Sequence, residues 1–510
     1  MNARPPTRSL TALLLEAGLP VASLPAHLHV VDVQADSRSV RPGSLFVAYR
    51  GLESDGHDFV EAAVRAGAAA VVAERQPERG AGVPLVLVPD GRAAWAWLCA
   101  AWEGFPTRQM RLAGVTGTDG KTTVASLLQH VLSCSGLETG LISTVAARVG
   151  RQLLDTGLHT STPPPSQVQA LLAEMVVAGC RSAVVEATSE GLAQKRLEAC
   201  DFDLAVLTNV TLDHLYFHGS FEAYREAKAT LFRYLTGSLR KPGVEKVAVL
   251  NRDDPSHGHF ASIPADIHLS YGQGRGDVSF AVLQQSAEQC LLAIESPWGK
   301  AEVRAPLPGI YNAYNVAGTL AAACAWGVTL EAASAAIATF PGVPGRADFL
   351  RCGQPFDLVI DFAHTTNALE QVLHAARSWT IGRIIVVFGC AGERDKSKRR
   401  PMARAAVTLA NHAVFTAEDP RREHLTGILS EMERGACEAG ATTGRDYSVV
   451  PNRAEAIAYA VTIARPGDTV LLCGKGHEQS MCYGREERPW SDHAAARQAL
   501  AARGYVASES

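Results

Sequence analysis

The stretch GVTGTDGKTT, residues 114–123, sets a lysine and two threonines directly behind closely spaced glycines. Glycine lets backbone N–H groups approach an anion, lysine adds a point charge, and a hydroxyl beside it can reach Mg²⁺. Gly117, Thr118, Asp119, Gly120, Lys121, Thr122 and Thr123 therefore form a candidate phosphate loop. The common pattern G-x-x-x-x-G-K-[ST] is not met, since Val115 stands where its first glycine would be. A plain glycine-rich turn from strand to helix is the alternative.

A second candidate is a lysine out of place. In SFEAYREAKATLFRYL, residues 220–235, Phe221, Tyr224, Leu231 and Leu235 recur at helical spacing, and Lys228 falls on the same stripe. A lysine at the edge of an apolar face commonly snorkels to solvent. Burial would instead favour the neutral amine, which can add CO₂ to give a carbamate, an acidic oxygen ligand suited to Mg²⁺. Glu186, closing SAVVEAT, and His214, after LAVLTNVTLD, end neighbouring strand-like runs and could serve the same ion. Either could equally be a hydrogen-bonded structural residue. A third candidate is TAEDPRREH, residues 416–424, where Glu418, Asp419, Pro420 and Arg421 crowd both signs of charge into one turn. It could pair with itself or hold a ligand bearing both signs.

These groups need strands and helices to position them. Apolar β-branched runs alternate with helical patterns, which predicts an α/β chain. Strands are expected at 44–49, 69–73, 111–116, 183–187, 204–208, 246–250, 358–361, 384–388, 413–416 and 469–473. Each runs at its carboxyl end into polar residues, where open parallel sheets bind ligands. Three domains are expected, 1–108, 109–343 and 344–510, the second boundary lying in the turn-rich FPGVPG.

Bulk properties narrow the function. The 510 residues are 47% hydrophobic and 20% charged, with a net charge of −4, so long nucleic acid is not an expected partner. No apolar run is long enough to span a bilayer. The basic, then briefly apolar start MNARPPTRSLTALLLEAGLP is interrupted by Glu16 and reads as a helix rather than a signal peptide. Eleven cysteines without a C-x-x-C pair point to reduced thiols, hence a cytoplasmic location.

Taken in order, these motifs resemble the Mur ligase family, most closely its UDP-N-acetylmuramoyl-tripeptide synthetase branch, along nearly the whole chain. The resemblance implies a UDP-binding α/β domain, a central P-loop ATPase domain with a mostly parallel sheet, and a Rossmann-like domain that brings an amino acid. It implies an ATP-dependent, ADP-forming ligase of peptidoglycan precursor synthesis, acting as a monomer. ADSRSVRPGSLFVA and GLESDGHDF resemble the uridine-nucleotide site, with Ala35, Ser37, Leu52, Glu53 and Ser54 in matching places. TST, with Thr160, Ser161 and Thr162, and EATSEGLAQKR, with Thr188, Gln194 and Arg196, resemble muramoyl-dipeptide contacts. GIYNAYN, with Asn312 and Asn315, together with Arg346, Asp361 and His364, would join the phosphate loop in holding ATP. Arg394, the EDPR loop, Gly474 and Glu478 match the amino-acid site.

The same resemblance implies catalytic roles for Lys121, Glu186, His214 and Lys228. Two Mg²⁺ ions are implied, held by Thr122, Glu186, His214 and a carbamylated Lys228. The substrates implied are ATP, UDP-MurNAc-L-Ala-D-Glu and a diamino acid, meso-diaminopimelate before L-lysine or L-ornithine. A folylpolyglutamate-type or other Mur ligase, or an inactive nucleotide-binding regulator, are the rival readings. The chain departs from the family pattern at Thr188-Ser189-Glu190 (S-S-H), at Leu212 and Tyr216 (R-D-H-L-D), at Thr366 (H-T-P), at Asp348 and at Glu418-Asp419 (D-N).

Overall fold

The computed structural model describes residues 7–21, 25, 27–52, 54–77, 81–154 and 161–506. Glu53 and Thr160, two of the expected substrate contacts, lie outside them. A short helix, Leu10–Glu16, capped by the Ser9 hydroxyl, follows the two-residue strand Arg8–Ser9, as expected for the N-terminal apolar run.

Three sheets organise the rest. The first is four-stranded and parallel: Val33–Gln34, Leu45–Ala48, Ala70–Ala73 and Leu85–Leu87, in that order. The second has eleven strands. Its parallel centre runs Thr139–Ile142, Ser182–Glu186, Arg111–Thr116, Leu204–Leu207, Val247–Asn251, Ile267–Gln273, Val278–Gln285. Antiparallel strands extend both edges, Ala147–Val149 and Gln152–Leu154 on one side, Cys290–Ser296 and Gly299–Ala305 on the other. The third orders Asp348–Phe349, Asp357–Asp361, Thr469–Cys473, Ile384–Phe388, His412–Phe415, Tyr447–Val449, parallel apart from the first. This is the expected α/β, Rossmann-like arrangement.

The middle strands of the central sheet, from Thr139–Ile142 across to Val247–Asn251, are buried on both faces, so they read as continuous apolar runs. Alternation decides which face each side chain joins. Val184 packs under the helices Lys121–Cys134 and Ile310–Ala325, whereas Ala183 and Val185 point to the opposite face with Leu231 and Phe232 of the helix Phe221–Gly237. That second face brings Lys228 beneath the sheet's carboxyl end.

Register then places the chemistry. Strand Arg111–Thr116 lies between Ser182–Glu186 and Leu204–Leu207, with Val115 opposite Glu186 and Thr116 opposite Leu207. The residues following all three strands therefore emerge together. The third sheet does the same with Asp361, Phe388, Phe415 and Cys473. All eleven cysteines are free thiols. Among the described residues no helix is long and apolar enough to cross a membrane.

Candidate active site

A single cavity of about 1060 Å³ is lined by the carboxyl ends of both larger sheets. The loop 117–120 forms part of its floor. Gly117 is at φ +150°, and a Cβ there would meet Thr208 Oγ1 at 1.8 Å, so only glycine fits. Gly120, at φ +81°, opens the helix Lys121–Cys134 and leaves room for the Asn315 amide. Lys121, Thr122 and Thr123, the first residues of that helix, line the cavity, and the N–H groups of a helix N-terminus suit an anion. Lys121 Nζ donates to Thr118 O at 2.8 Å. Asn315 Nδ2 donates to Asn312 Oδ1 at 2.9 Å, and Asn312 Nδ2 to Pro308 O at 2.7 Å.

Beside the loop lies an acidic pocket. Glu186 is only 1% exposed, and its Oε2 accepts from Thr122 Oγ1 at 3.1 Å, Thr144 N at 3.0 Å and Thr144 Oγ1 at 2.9 Å. Lys228 is also 1% exposed, so the snorkelling alternative does not hold. Its Nζ donates to Gly117 O at 2.6 Å and lies 4.3 Å from the Tyr224 ring centroid. Burial, reinforced by the charge of Lys121, pushes its pKa well below the usual lysine range. The neutral amine that carbamylation requires is thus favoured.

His214 lines the same cavity with its ring between two acids, Nδ1 3.3 Å from Glu190 Oε1 and Nε2 3.3 Å from Asp213 Oδ2. Two of the departures from the family pattern meet here: Tyr216 Oη donates to Glu190 Oε1 at 2.6 Å. Burial would raise the Glu190 pKa, but hydrogen bonds from His214 and Tyr216 hold it down at about 2.

The donor set suits a hard divalent cation. The Thr122 hydroxyl and Glu186 carboxylate are buried oxygens, and carbamylated Lys228 would add two more. His214, engaged by two carboxylates, sits at the flank of this set.

The third domain closes the cavity. Arg346 Nη2 donates to Thr122 Oγ1 at 3.3 Å, its guanidinium carbon 4.3 Å from the Phe362 ring centroid. Asn367 Nδ2 donates to Asp119 Oδ2 at 2.8 Å. Burial raises the pKa of both Asp119 and Asp361 and lowers that of His364 to about 3, the Lys398 charge adding to the last. At the far end lie Arg394, Glu418, Asp419, Arg421, Gly474 and Glu478. Pro420 is buried beside them.

Ser161, Thr188 and Arg196 also face the cavity. Thr162 and Gln194 support them: Arg196 Nη1 donates to Thr162 O at 2.7 Å and its Nη2 to Gln194 Oε1 at 3.2 Å. Ala35, Ser37, Leu52 and Ser54 are partly or fully exposed on the first domain and do not line it. The sequence reading passed over Thr144, Asn209 and Asn367. Asn209 Oδ1 accepts from Asp119 N at 3.0 Å, bracing the phosphate loop. Thr144 and Asn209 follow the strands Thr139–Ile142 and Leu204–Leu207, so the strand-end rule that singled out Glu186 also reaches them.

Models of the Mur ligase family match the chain in three consecutive pieces: the catalytic domain over residues 29–103, the middle domain over 115–323 and the glutamate ligase domain over 345–476. A UDP-N-acetylmuramyl-tripeptide synthetase of Roseiflexus sp. (strain RS-1) is 43% identical, covering 94% of this chain and 97% of its own. The chain belongs to the Mur ligase family. It is an ATP-dependent, ADP-forming ligase. A Mur ligase of Geobacillus kaustophilus (strain HTA426), UDP-N-acetylmuramoyl-L-alanyl-D-glutamate--2,6-diaminopimelate ligase, is 41% identical over 93% of this chain and 96% of its own. Among solved structures, a ligase of that same description matches with a TM-score of 0.67 at 30% identity, covering 97% of this chain and 99% of its own.

Proposed function

We propose that this Mur ligase adds a diamino acid, meso-diaminopimelate before L-lysine or L-ornithine, to the D-glutamate side-chain carboxylate of UDP-MurNAc-L-Ala-D-Glu. In this reading residues 1–108 hold the UDP-sugar, 109–343 bind ATP, and 344–510 bring the amino acid. The observation that carries the acceptor assignment is Arg421. It lines the same cavity as the phosphate loop, and its Nε is buried without a hydrogen-bond partner among the described residues. A planar guanidinium held this way suits a distal carboxylate, which it can bind bidentately.

The reaction follows from the charges. The substrate carboxylate attacks the γ-phosphoryl group of ATP, giving an acyl phosphate and ADP. Two anions must approach, so Lys121 and Arg346 supply fixed positive charge beside the loop amides. Bound Mg²⁺, two ions in this reading, supplies further positive charge against the phosphates. Thr122, Glu186 and carbamylated Lys228 would hold it, with His214 flanking. The acceptor amine then attacks the acyl carbon, the tetrahedral intermediate collapses, and phosphate leaves.

The test is kcat/KM for diaminopimelate, lysine and ornithine in wild type and in Arg421→Ala. Diaminopimelate should be preferred, and the substitution should cost it at least about tenfold more than lysine, because a buried partner is left unpaired. A wild-type preference for lysine or ornithine would overturn the acceptor assignment.

A further inference from the structure

The EDPR loop carries two adjacent acids, Glu418 and Asp419, within reach of an acceptor that itself bears charges of both signs. Left free, Asp419 would attract a distal ammonium and work against Arg421. The structure does not leave it free. Asp419 adopts φ +38°, and its Oδ1 accepts both Cys482 N and Lys475 Nζ at 2.9 Å. Lys475 is fully buried, and the same ammonium also pairs with Glu478. The loop is further stitched to the hairpin strand Ser480–Tyr483: Arg421 N donates to Cys482 O at 3.0 Å and Gly484 N to Arg421 O at 2.8 Å. One buried cation thus ties down two carboxylates of the acceptor end. Burial meanwhile pushes Glu418 up to about 7, which thins its negative charge near neutrality.

We infer that Lys475, by holding Asp419 and Glu478 together, makes the pocket selective for a diamino acid with a distal carboxylate. It is a specificity-determining residue that needs no contact with the acceptor. Its ammonium offsets one of the two negative charges and holds the Asp419 carboxylate in place, so Arg421 faces the distal end beside an acid that is already engaged. The inference rests on the reading of this pocket as the diamino-acid site.

Lys475→Met removes the cation and keeps the bulk. The ratio of kcat/KM for diaminopimelate to that for lysine should fall at least about tenfold, because an unpaired carboxylate now faces the distal end. Asp419→Asn combined with Lys475→Met should bring the ratio back to within about threefold of wild type, because charge rather than packing sets it. Lys475→Gln, which retains a donor for Asp419 but no charge, gives the same reading if the Met variant does not fold. A ratio unmoved by loss of the charge, or one that the double variant fails to restore, overturns the inference. Failure of the pocket assignment itself is a separate result: wild type would then ligate none of the diamino acids.

Discussion

At the scale of single residues the site is governed by burial of charge. Lys228 shows this most directly. At 1% exposure and near the Lys121 charge, its pKa is pushed well below the usual lysine range, which favours the neutral amine. A neutral amine on an apolar stripe, in the same cavity as a buried glutamate, is what the proposed carbamate would form from on taking up CO₂. Lys228→Ala should lower ligation by roughly a thousandfold or more, the scale of losing a metal-held charge in phosphoryl transfer. Short carboxylic acids added to the variant should restore part of it by replacing the lost oxygens. Product formation measured with and without acetate or propionate checks this, and near-normal turnover in the plain variant would show that the lysine is structural. The same residue marks what sequence could and could not reveal. Its place on the stripe was legible from spacing, because Phe221, Tyr224, Leu231 and Leu235 define the face. The partner that fixes it, Gly117 O, comes from 111 residues away and depends on the sheet register.

At the scale of elements, strand Arg111–Thr116 and helix Phe221–Gly237 act as one unit. Gly114 lies where they touch: a Cβ there would come within 2.6 Å of Leu231 Cδ1 and 2.9 Å of Phe202 Cε1. Gly114→Ala should force the helix outward and cost about 1–3 kcal/mol, the usual range for overpacking a core. Because that helix carries Lys228, activity should fall more than the lowered Tm alone explains. Thermal unfolding together with turnover at a temperature well below Tm would check this, and unchanged turnover would show that strand and helix are not coupled to the site. Elements of this kind were readable: the expected strand at 111–116 is Arg111–Thr116, and those at 384–388 and 469–473 are Ile384–Phe388 and Thr469–Cys473. Continuous burial on two faces leaves an unbroken apolar run. The strands toward one edge, Val278–Gln285, Cys290–Ser296 and Gly299–Ala305, give no such signal, because one face meets solvent and Gln, Glu, Lys and Arg break the run. The EDPR loop was legible as a crowd of charges, but not as a closed circuit. Lys475 lies 56 positions from Asp419, and the third sheet brings them together.

At the scale of the whole molecule, the central and third domains meet over the phosphate loop through few polar contacts. Asn367 Nδ2 to Asp119 Oδ2, at 2.8 Å, joins the start of the helix Thr366–Arg377 to the loop itself. Arg346 reaches Thr122 from the same side at 3.3 Å. An acyl phosphate is readily hydrolysed, so the closed arrangement must outlast the interval between its formation and attack by the amine. Arg346 also belongs to the proposed ATP site, so its removal would confound binding with closure. Asn367 offers a cleaner probe. A hydrogen bond of this kind contributes about 0.5–1.5 kcal/mol, enough to shift an open–closed balance by roughly two- to tenfold. Asn367→Ala should therefore leave acyl phosphate formation largely intact while admitting water, so that ADP released per amide formed rises from about one to roughly two or more. Parallel measurement of ADP and ligated product at saturating acceptor provides the check. A ratio that stays at one while kcat falls would mean that the contact positions the phosphate loop and does not guard the intermediate.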